Sequence, residues 1–582
     1  MATSSSGTRP ALSDGPGSLR RSLLLYAALL AAAIPASLLT LGPLTAGIWT
    51  DLPQATVDLG YSFARMVAAY ALSLGFSLAY GYYAATRRTG ERVMIPVLDI
   101  LQSVPILGFF PVAIVVFIQL FGPSSWIGPN LASVFLIFTS MAWNMVFGVY
   151  ESLKSIPSDL REAADSFGST GRQRMRRLVL PATVHRLVYN SILSWTGGWF
   201  FLVEAEIFTT GSQPLAGIGS YLSFAASDGN ASAFVAGIVV LILLIVAMDV
   251  LVWRPLSRIA DRYRYDQTPS GEVDAGSSGP AGTRMRRAAS YLTRGVRVGV
   301  SRLSVPFVQL ASYTVRPRRR ERRISPRAAL GTVALGAVLV LVWLILIAIG
   351  VAVYDVYAVP IAPSVAQQML SLPLAMGASV LRVAAAFAIS LAIALPLALF
   401  LTRPSRAASA GLPTIQIIAS IPATAFFPVI IFELVPYLSA EGAAILMLIT
   451  GMIWYLFFNL LSGLRSVPPD LQEAARSFGM RGRSLLSRVL LPGSFAAFVT
   501  GAITAFGGGW NTLIVAEYLN LAPGQTFQVF GIGALLDIGY AEPNGLPLMV
   551  GALFTLVATV ILINELLWKP LYRRATTRYR YD

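Results

Sequence analysis

The sequence predicts an all-α polytopic membrane protein, with about twelve transmembrane helices arranged as two parallel six-helix repeats. Three observations carry that expectation. Of 582 residues, 55% are hydrophobic and only 12% charged, where soluble domains carry about 25% charged residues. Several predominantly apolar windows are long enough to cross a hydrocarbon core about 30 Å thick. Residues 162–181, EAADSFGSTGRQRMRRLVLP, recur as residues 473–492, EAARSFGMRGRSLLSRVLLP.

The first half places spans near 22–42, 59–86, 94–120, 131–151, 184–210 and 231–253. The second places them near 328–353, 374–401, 411–437, 442–463, 494–520 and 545–568. The chain thus divides into a polar cytoplasmic tail (1–21), a first transmembrane domain (22–266), a basic linker (267–327) and a second transmembrane domain (328–582). The run Leu23–Leu41 is long enough to remain as a span rather than act as a cleaved leader. Within the linker, the Ser/Gly/Pro-rich stretch 267–283 reads as flexible. Residues 285–312 alternate arginines with Leu, Val, Tyr and Phe. They form either an amphipathic helix on the inner membrane surface or an ordinary basic linker.

The repeat extends beyond the charged segment. ARMVAAYALSL (64–74) matches LRVAAAFAISL (381–391), and QSVPILGFFPV (102–112) matches ASIPATAFFPV (419–429). Trp143 pairs with Trp454, and Gly197-Gly198-Trp199 with Gly508-Gly509-Trp510. Six spans per half is an even number, so both copies share one orientation. With the N-terminus inside, the external connections are 43–58, 121–130, 211–230, 354–373, 438–441 and 521–544, and no Lys or Arg falls in them. Positive charge gathers on the inner side of a membrane. Both termini, the linker and both copies of the charged segment are therefore expected to be cytoplasmic.

Composition also excludes chemistry. There is no cysteine and a single histidine, His185, so neither a thiolate nor a His-cluster metal site can form. The two lysines, Lys154 and Lys569, do not follow glycine. A phosphate-cradling Gly-Lys-Ser/Thr loop is thus missing, and any ATP driving the protein must be hydrolysed by another subunit. The net charge of +16 lies in tails, short loops and the linker, which points to membrane orientation and anionic lipid rather than nucleic acid.

The charged segment is built as a short docking helix. Pro157-Ser158-Asp159 and Pro468-Pro469-Asp470 supply helix starts, with an acid in the first turn. Gly168 and Gly479 fit a C-terminal stop. Leu160, Ala163, Ala164 and Phe167 recur at helical spacing as an apolar face, as do Leu471, Ala474, Ala475 and Phe478. A helix this short needs a partner groove to be stable.

With Glu162 and Glu473 opening each copy and Leu180-Pro181 and Leu491-Pro492 closing them, the segment resembles the EAA loop of the membrane subunits of binding-protein-dependent ATP-binding-cassette importers. That resemblance covers nearly the whole chain twice and implies a fused, duplicated permease of the prokaryotic inner membrane. It implies two partner ATPase subunits, which would hold ATP and Mg, one docked on each EAA helix. It also implies an external substrate-binding protein, and no catalytic residue, cofactor or metal on this chain.

Two further sets of residues are candidates for lining a pathway. Pro105 with Pro111 and Pro422 with Pro428 interrupt the third spans. Each removes a donor and frees the carbonyl four residues earlier, which makes either a structural kink or a path-lining break. Their spacing also resembles the nitrate, sulfonate, taurine and bicarbonate branch, which implies a small anion as solute. Arg65 matches Arg382, and Glu206 matches Glu517. Charges inside a membrane are costly; these four can pair between the second and fifth spans or meet an incoming solute. Glu204 has no counterpart, because Val515 stands in its place. An ion-gradient-driven transporter would show the same repeats but needs no paired EAA segments.

Overall fold

The computed structural model describes residues 42–103, 105–122, 126–168, 173, 178–210, 215–263, 361–402, 411–412, 415–416, 418–522, 525–542 and 544–578. The predicted spans 22–42 (Gly42 apart) and 328–353, and the linker with its basic segment 285–312, lie outside the described residues. Gly47–Gly168, Leu178–Arg264 and Val338–Asp582 form one unit that contains both repeats. A second unit (Met1–Ala46, Ser169–Arg177 and Tyr265–Ala337) lies almost wholly outside the described residues.

The first half runs through α1 (Gly42–Thr86), α2 (Arg88–Ser103), a 310 turn at Ile106–Phe109, α3 (Phe110–Phe121), α4 (Ile127–Lys154) and α5 (Ser158–Ser166). It continues through α6 (Leu180–Thr210), α7 (Ile218–Ser227), α8 (Ala231–Met248) and α9 (Arg254–Ala260). The second half follows with α10 (Pro363–Leu370), α11 (Leu372–Thr402), a 310 turn at Ala423–Phe426, α12 (Val435–Ser466) and α13 (Pro469–Ser477). It ends with α14 (Phe495–Glu517), α15 (Ile532–Ala541), α16 (Leu546–Ile563) and α17 (Lys569–Arg578).

Against twelve predicted spans, seven helical stretches among the described residues are long and apolar enough to cross a membrane. Several predicted loops are also structured. The stretch 43–58 continues α1, 211–230 contains α7, and 354–373 contains α10. The stretch 521–544 carries a β-hairpin and α15, so the described chain is not all-α. In the hairpin, β1 (Tyr518–Ala522) pairs antiparallel with β2 (Gln525–Gln528). Tyr518 turns extended at the end of α14, and the Val529 N–H then donates to Glu517 O at 2.9 Å, anchoring the returning strand to that helix end.

The third spans are not continuous helices, and the prolines act differently from the expectation of freed carbonyls. Pro105 (φ −59°, ψ 121°) and Pro422 (φ −63°, ψ 124°) are extended residues that precede the 310 turns. Pro111 and Pro428 fall in the first turn of the helix that follows, where a missing N–H costs nothing. The carbonyls four residues before them, Leu107 and Thr424, accept from the Phe110 and Phe427 N–H groups. The predicted connection at 438–441 appears as a break in α12 at Ser439 (φ 63°, ψ 166°).

Duplication is visible in the packing. Gly198 of α6 is pressed against Met141 of α4, and Gly509 of α14 against Met452 of α12, so a Cβ at either glycine would collide with the methionine. Small residues at such crossings let membrane helices approach closely. Beside them, Tyr70, Trp195 and Trp253 form a cluster of edge-to-face and tilted ring contacts, which Phe387, Phe506 and Trp568 repeat.

The halves meet through their 310 turns. Asn511 Oδ1 of α14 accepts from the Ile106 N–H at 2.6 Å, a donor that helix interruption leaves open. The reciprocal contact has Thr424 Oγ1 donating to Phe200 O of α6 at 3.2 Å, with the Phe200 and Phe427 rings edge to face. Truncation by Asn511→Ala would leave the buried Ile106 donor without its acceptor. A loss of about 1–3 kcal/mol is expected, read as a lower thermal midpoint in detergent, whereas Asn511→Asp retains an acceptor and loses less.

Candidate functional site

The intramembrane charges predicted to pair or to meet solute are paired. Arg65 Nη1 on α1 lies 2.6 Å from Glu206 Oε1 on α6, with 7% and 0% of their side chains exposed. Arg382 on α11 bonds Glu517 on α14 in the same way. Neither carboxylate is held by arginine alone. Ser62 Oγ donates to Glu206 at 2.8 Å, and the Gly219 N–H donates to its other oxygen at 2.9 Å. Ser379 Oγ and the Gly533 N–H repeat these bonds on Glu517 at 2.6 and 2.7 Å. Each glutamate therefore caps the N-terminus of the following short helix, α7 or α15, where helix donors and dipole favour an anion.

This arrangement depends on residues that the charge pattern alone did not single out. Gly217 and Gly531 lie directly against the two carboxyl groups, and a Cβ at either would overlap them. The signal was present as a repeat: Ser62-x-x-Arg65 recurs as Ser379-x-x-Arg382, and Gly217-Ile218-Gly219 as Gly531-Ile532-Gly533. The copies differ at their outer partner. Arg65 Nε donates to Asn130 Oδ1 at 2.8 Å, whereas Arg382 also holds the half-exposed Glu441.

The EAA segments form helices where expected. The Arg161 and Gln472 N–H groups donate to Pro157 O and Pro468 O, each at 3.3 Å, closing the first turns alike. Gly168 (φ 60°) and Gly479 (φ 78°) take the left-handed conformation that glycine favours. At the second, the Gly479 N–H donates to Arg476 O and the Met480 N–H to Ala475 O, the paired bonds of a Schellman stop.

The predicted apolar face divides in two. Ala475 packs with Val467 and Val489 of its own chain, and Ala164 is half-buried. Phe167 and Phe478 sit just past the helix ends and are 87% and 83% exposed. Leu160, Leu471, Glu162, Glu473, Ala163 and Ala474 are also exposed. The stem is fixed to α4, since Arg161 Nη2 donates to Leu153 O at 2.6 Å. Nearby, Lys154 and Tyr150 bond Glu91 at 2.6 and 2.7 Å, joining α4 to α2. The Lys154 hydrogen bond, with that of Tyr150, holds this carboxyl below the usual carboxylate range.

A further pair of stripes runs along α6 and α14. Tyr189, Leu193 and Thr196 are exposed, Phe200 is half-buried, and Glu204 is closed off. Their counterparts Thr500, Thr504, Gly507, Asn511 and Val515 show the same gradient. Spacings of three and four put each set on one helix face. Both stripes reach the opposite half at their fourth residue, where Phe200 meets Thr424 and Asn511 meets Ile106. Pro105, Pro111, Pro422 and Pro428 are all buried around these same turns.

A family model for binding-protein-dependent transport system inner membrane components matches residues 71–254 and again 392–567, together more than half of the chain. The chain belongs to this family. The permease carries the family's domain twice, consistent with a fused duplication. It is 32% identical over 111 residues to a permease protein of Escherichia coli (strain K12) named for aliphatic sulfonates transport, covering 19% of this chain and 41% of that one. Identity to the taurine transport system permease protein of the same organism is 27% over 164 residues (28% and 55%). Identity to a bicarbonate transport system permease protein of Synechococcus elongatus is 30% over 141 residues (24% and 49%). The matches span about half the length of these curated relatives.

In this permease, Arg65→Met would leave Glu206 buried without its countercharge, and Arg382→Met would do the same to Glu517. Breaking a buried pair from one side costs about 3–5 kcal/mol. Each single variant is expected to lower the denaturation midpoint accordingly. Wild-type midpoints for both would refute a stabilising role.

Proposed function

We propose that this chain supplies both transmembrane halves of an ATP-binding-cassette importer for a small solute, with twelve spans and both termini on the cytoplasmic side. Two ATPase subunits dock beneath it, one on α5 and one on α13, and hold the ATP and Mg. An external binding protein delivers the solute, for which the sulfonate, taurine and bicarbonate relatives suggest a small anion. The observation that carries this reading is the duplicated docking helix. Two copies each present an exposed Phe and Glu, the first fastened to α4 through Arg161, within a chain of the importer family.

The mechanism follows from how those helices are attached. Arg161 links α5 to the end of α4, so a push on α5 is carried into the membrane body rather than absorbed by a loop. In the proposed cycle, closure of the ATPases on ATP moves both helices together. The halves then part or close at the contacts of Ile106 with Asn511 and Thr424 with Phe200. The exposed parts of the α6 and α14 stripes line a path open to the cytoplasm, and the 310 turns with their prolines form its closed end. The Arg65–Glu206 and Arg382–Glu517 pairs hold the walls of each half.

Two measurements test this. Glu162→Lys combined with Glu473→Lys is expected to abolish co-purification of the ATPase. Phe167→Ala and Phe478→Ala should each weaken docking about tenfold or more, since burying a Phe is worth about 1.5–3 kcal/mol. Solute uptake into vesicles without any ATPase would instead favour the gradient-driven reading. Because the chain has no cysteine, single Leu193→Cys and Thr504→Cys variants can be probed cleanly. Both are expected to react with a membrane-impermeant thiol reagent applied from the cytoplasmic side, and protection at both would rule out the path.

A further inference from the structure

The carboxyl group of Glu204 is the exception among the buried charges of α6. Its side chain is 1% exposed, and neither oxygen has a hydrogen-bond partner among the described residues. Two residues further on, Glu206 has an arginine, a serine and a backbone N–H. Residues two apart on a helix point to nearly opposite faces, so Glu204 cannot share that network. A buried acceptor left unmade costs about 1–3 kcal/mol, and more if charged. Packing offers no return for this cost, because Val515 fills the equivalent place on α14 with an apolar side chain.

Its place in the fold is specific. Glu204 lies one helical turn beyond Phe200, at the closed end of the stripe whose other members are Tyr189, Leu193 and Thr196. At Phe200 that stripe meets Thr424 and Phe427 of the other half. Glu204 is therefore the acidic residue on the face of α6 turned toward the proposed path, at the level where the path is shut. Since Val515 is its counterpart, the pseudo-symmetric halves offer one carboxylate there rather than two.

We propose that Glu204 is a solute-contacting residue, and that the transported solute carries a protonated amine or another N–H group for this carboxylate to accept. The inference rests on the α6–α14 path reading. Once the path opens and water reaches it, a lone ionised carboxylate there would repel a simple inorganic anion. It would be matched by a zwitterion, whose cationic end meets Glu204. A single off-axis carboxylate also fixes one orientation for the solute, which two symmetric ones would not. Among small-anion cargoes, this selects amine-bearing acids over nitrate-like or bicarbonate-like ions.

The test uses the full chain with its ATPases in inside-out vesicles, and two thiol reagents of similar size and opposite charge. These are methanethiosulfonate ethyltrimethylammonium and methanethiosulfonate ethylsulfonate, applied to Phe200→Cys with and without Glu204→Gln. The cationic reagent is expected to be favoured, and Glu204→Gln to lower the cation-to-anion rate ratio by about tenfold. Thr196→Cys, one turn nearer the cytoplasm, should show the same sign more weakly, and it serves if Phe200→Cys does not fold. Reaction with an unchanged ratio would overturn the role of Glu204 while leaving the path intact. No reaction at either position would overturn the path reading and this inference with it.

Discussion

In hydrocarbon no water is present to satisfy a broken helix, so each interruption must find its partners within the protein. This constraint organises what is described of the chain. The third segments stop at Pro105 and Pro422, and restart as 310 turns that bond their own carbonyls three residues on. The Ile106 donor left over is taken by Asn511 from the other half. The donors at the starts of α7 and α15 are taken by Ser62 with Glu206, and by Ser379 with Glu517. The buried arginines then neutralise the glutamates that do this capping. The ion pairs are thus a consequence of breaking helices, which explains why arginine, serine, glutamate and glycine recur together.

Much of this was legible in the sequence because duplication reports positions twice. The docking helices, their acidic starts and their glycine stops follow from local chemistry, since Gly168 and Gly479 need no distant partner to adopt positive φ. The Arg65–Glu206 pairing was one of two readings, because sequence spacing does not say which way a side chain faces. The role of the prolines was less legible. A proline four residues after a carbonyl implies an orphan only if the helix is continuous, and Pro105 and Pro422 end it first. The hairpin after Glu517 escaped notice for a related reason: short strands on an external segment carry no membrane periodicity. Asn511 was hidden because its partner lies 405 residues away.

Departures from symmetry mark where the halves have different work. Asn511 supplies an acceptor where the first half has Phe200, Glu441 adds a second carboxylate to Arg382 where Asn130 serves Arg65, and Val515 replaces Glu204. All three lie at the contact between halves or toward the outer ends of the spans. The docking helices themselves keep their Glu-Ala-Ala start and glycine stop, although Arg161 anchors the first to Leu153 O where Gln472 of the second bonds Val467 O. A fused chain can diversify one wall of its pathway while keeping two equivalent handles, because each copy mutates independently yet stays at fixed one-to-one stoichiometry.

The contact between Ile106 and Asn511 also bears on how the protein is made. At a synthesis rate of about 5–20 residues per second, the partner of the Ile106 donor emerges roughly 20–80 s after the donor itself. Through that interval the first half resides in the bilayer with its 310 turn unfinished. Fusion of the halves ensures that the completing residue arrives on the same chain, at the same place, without a search through the membrane for a separate subunit.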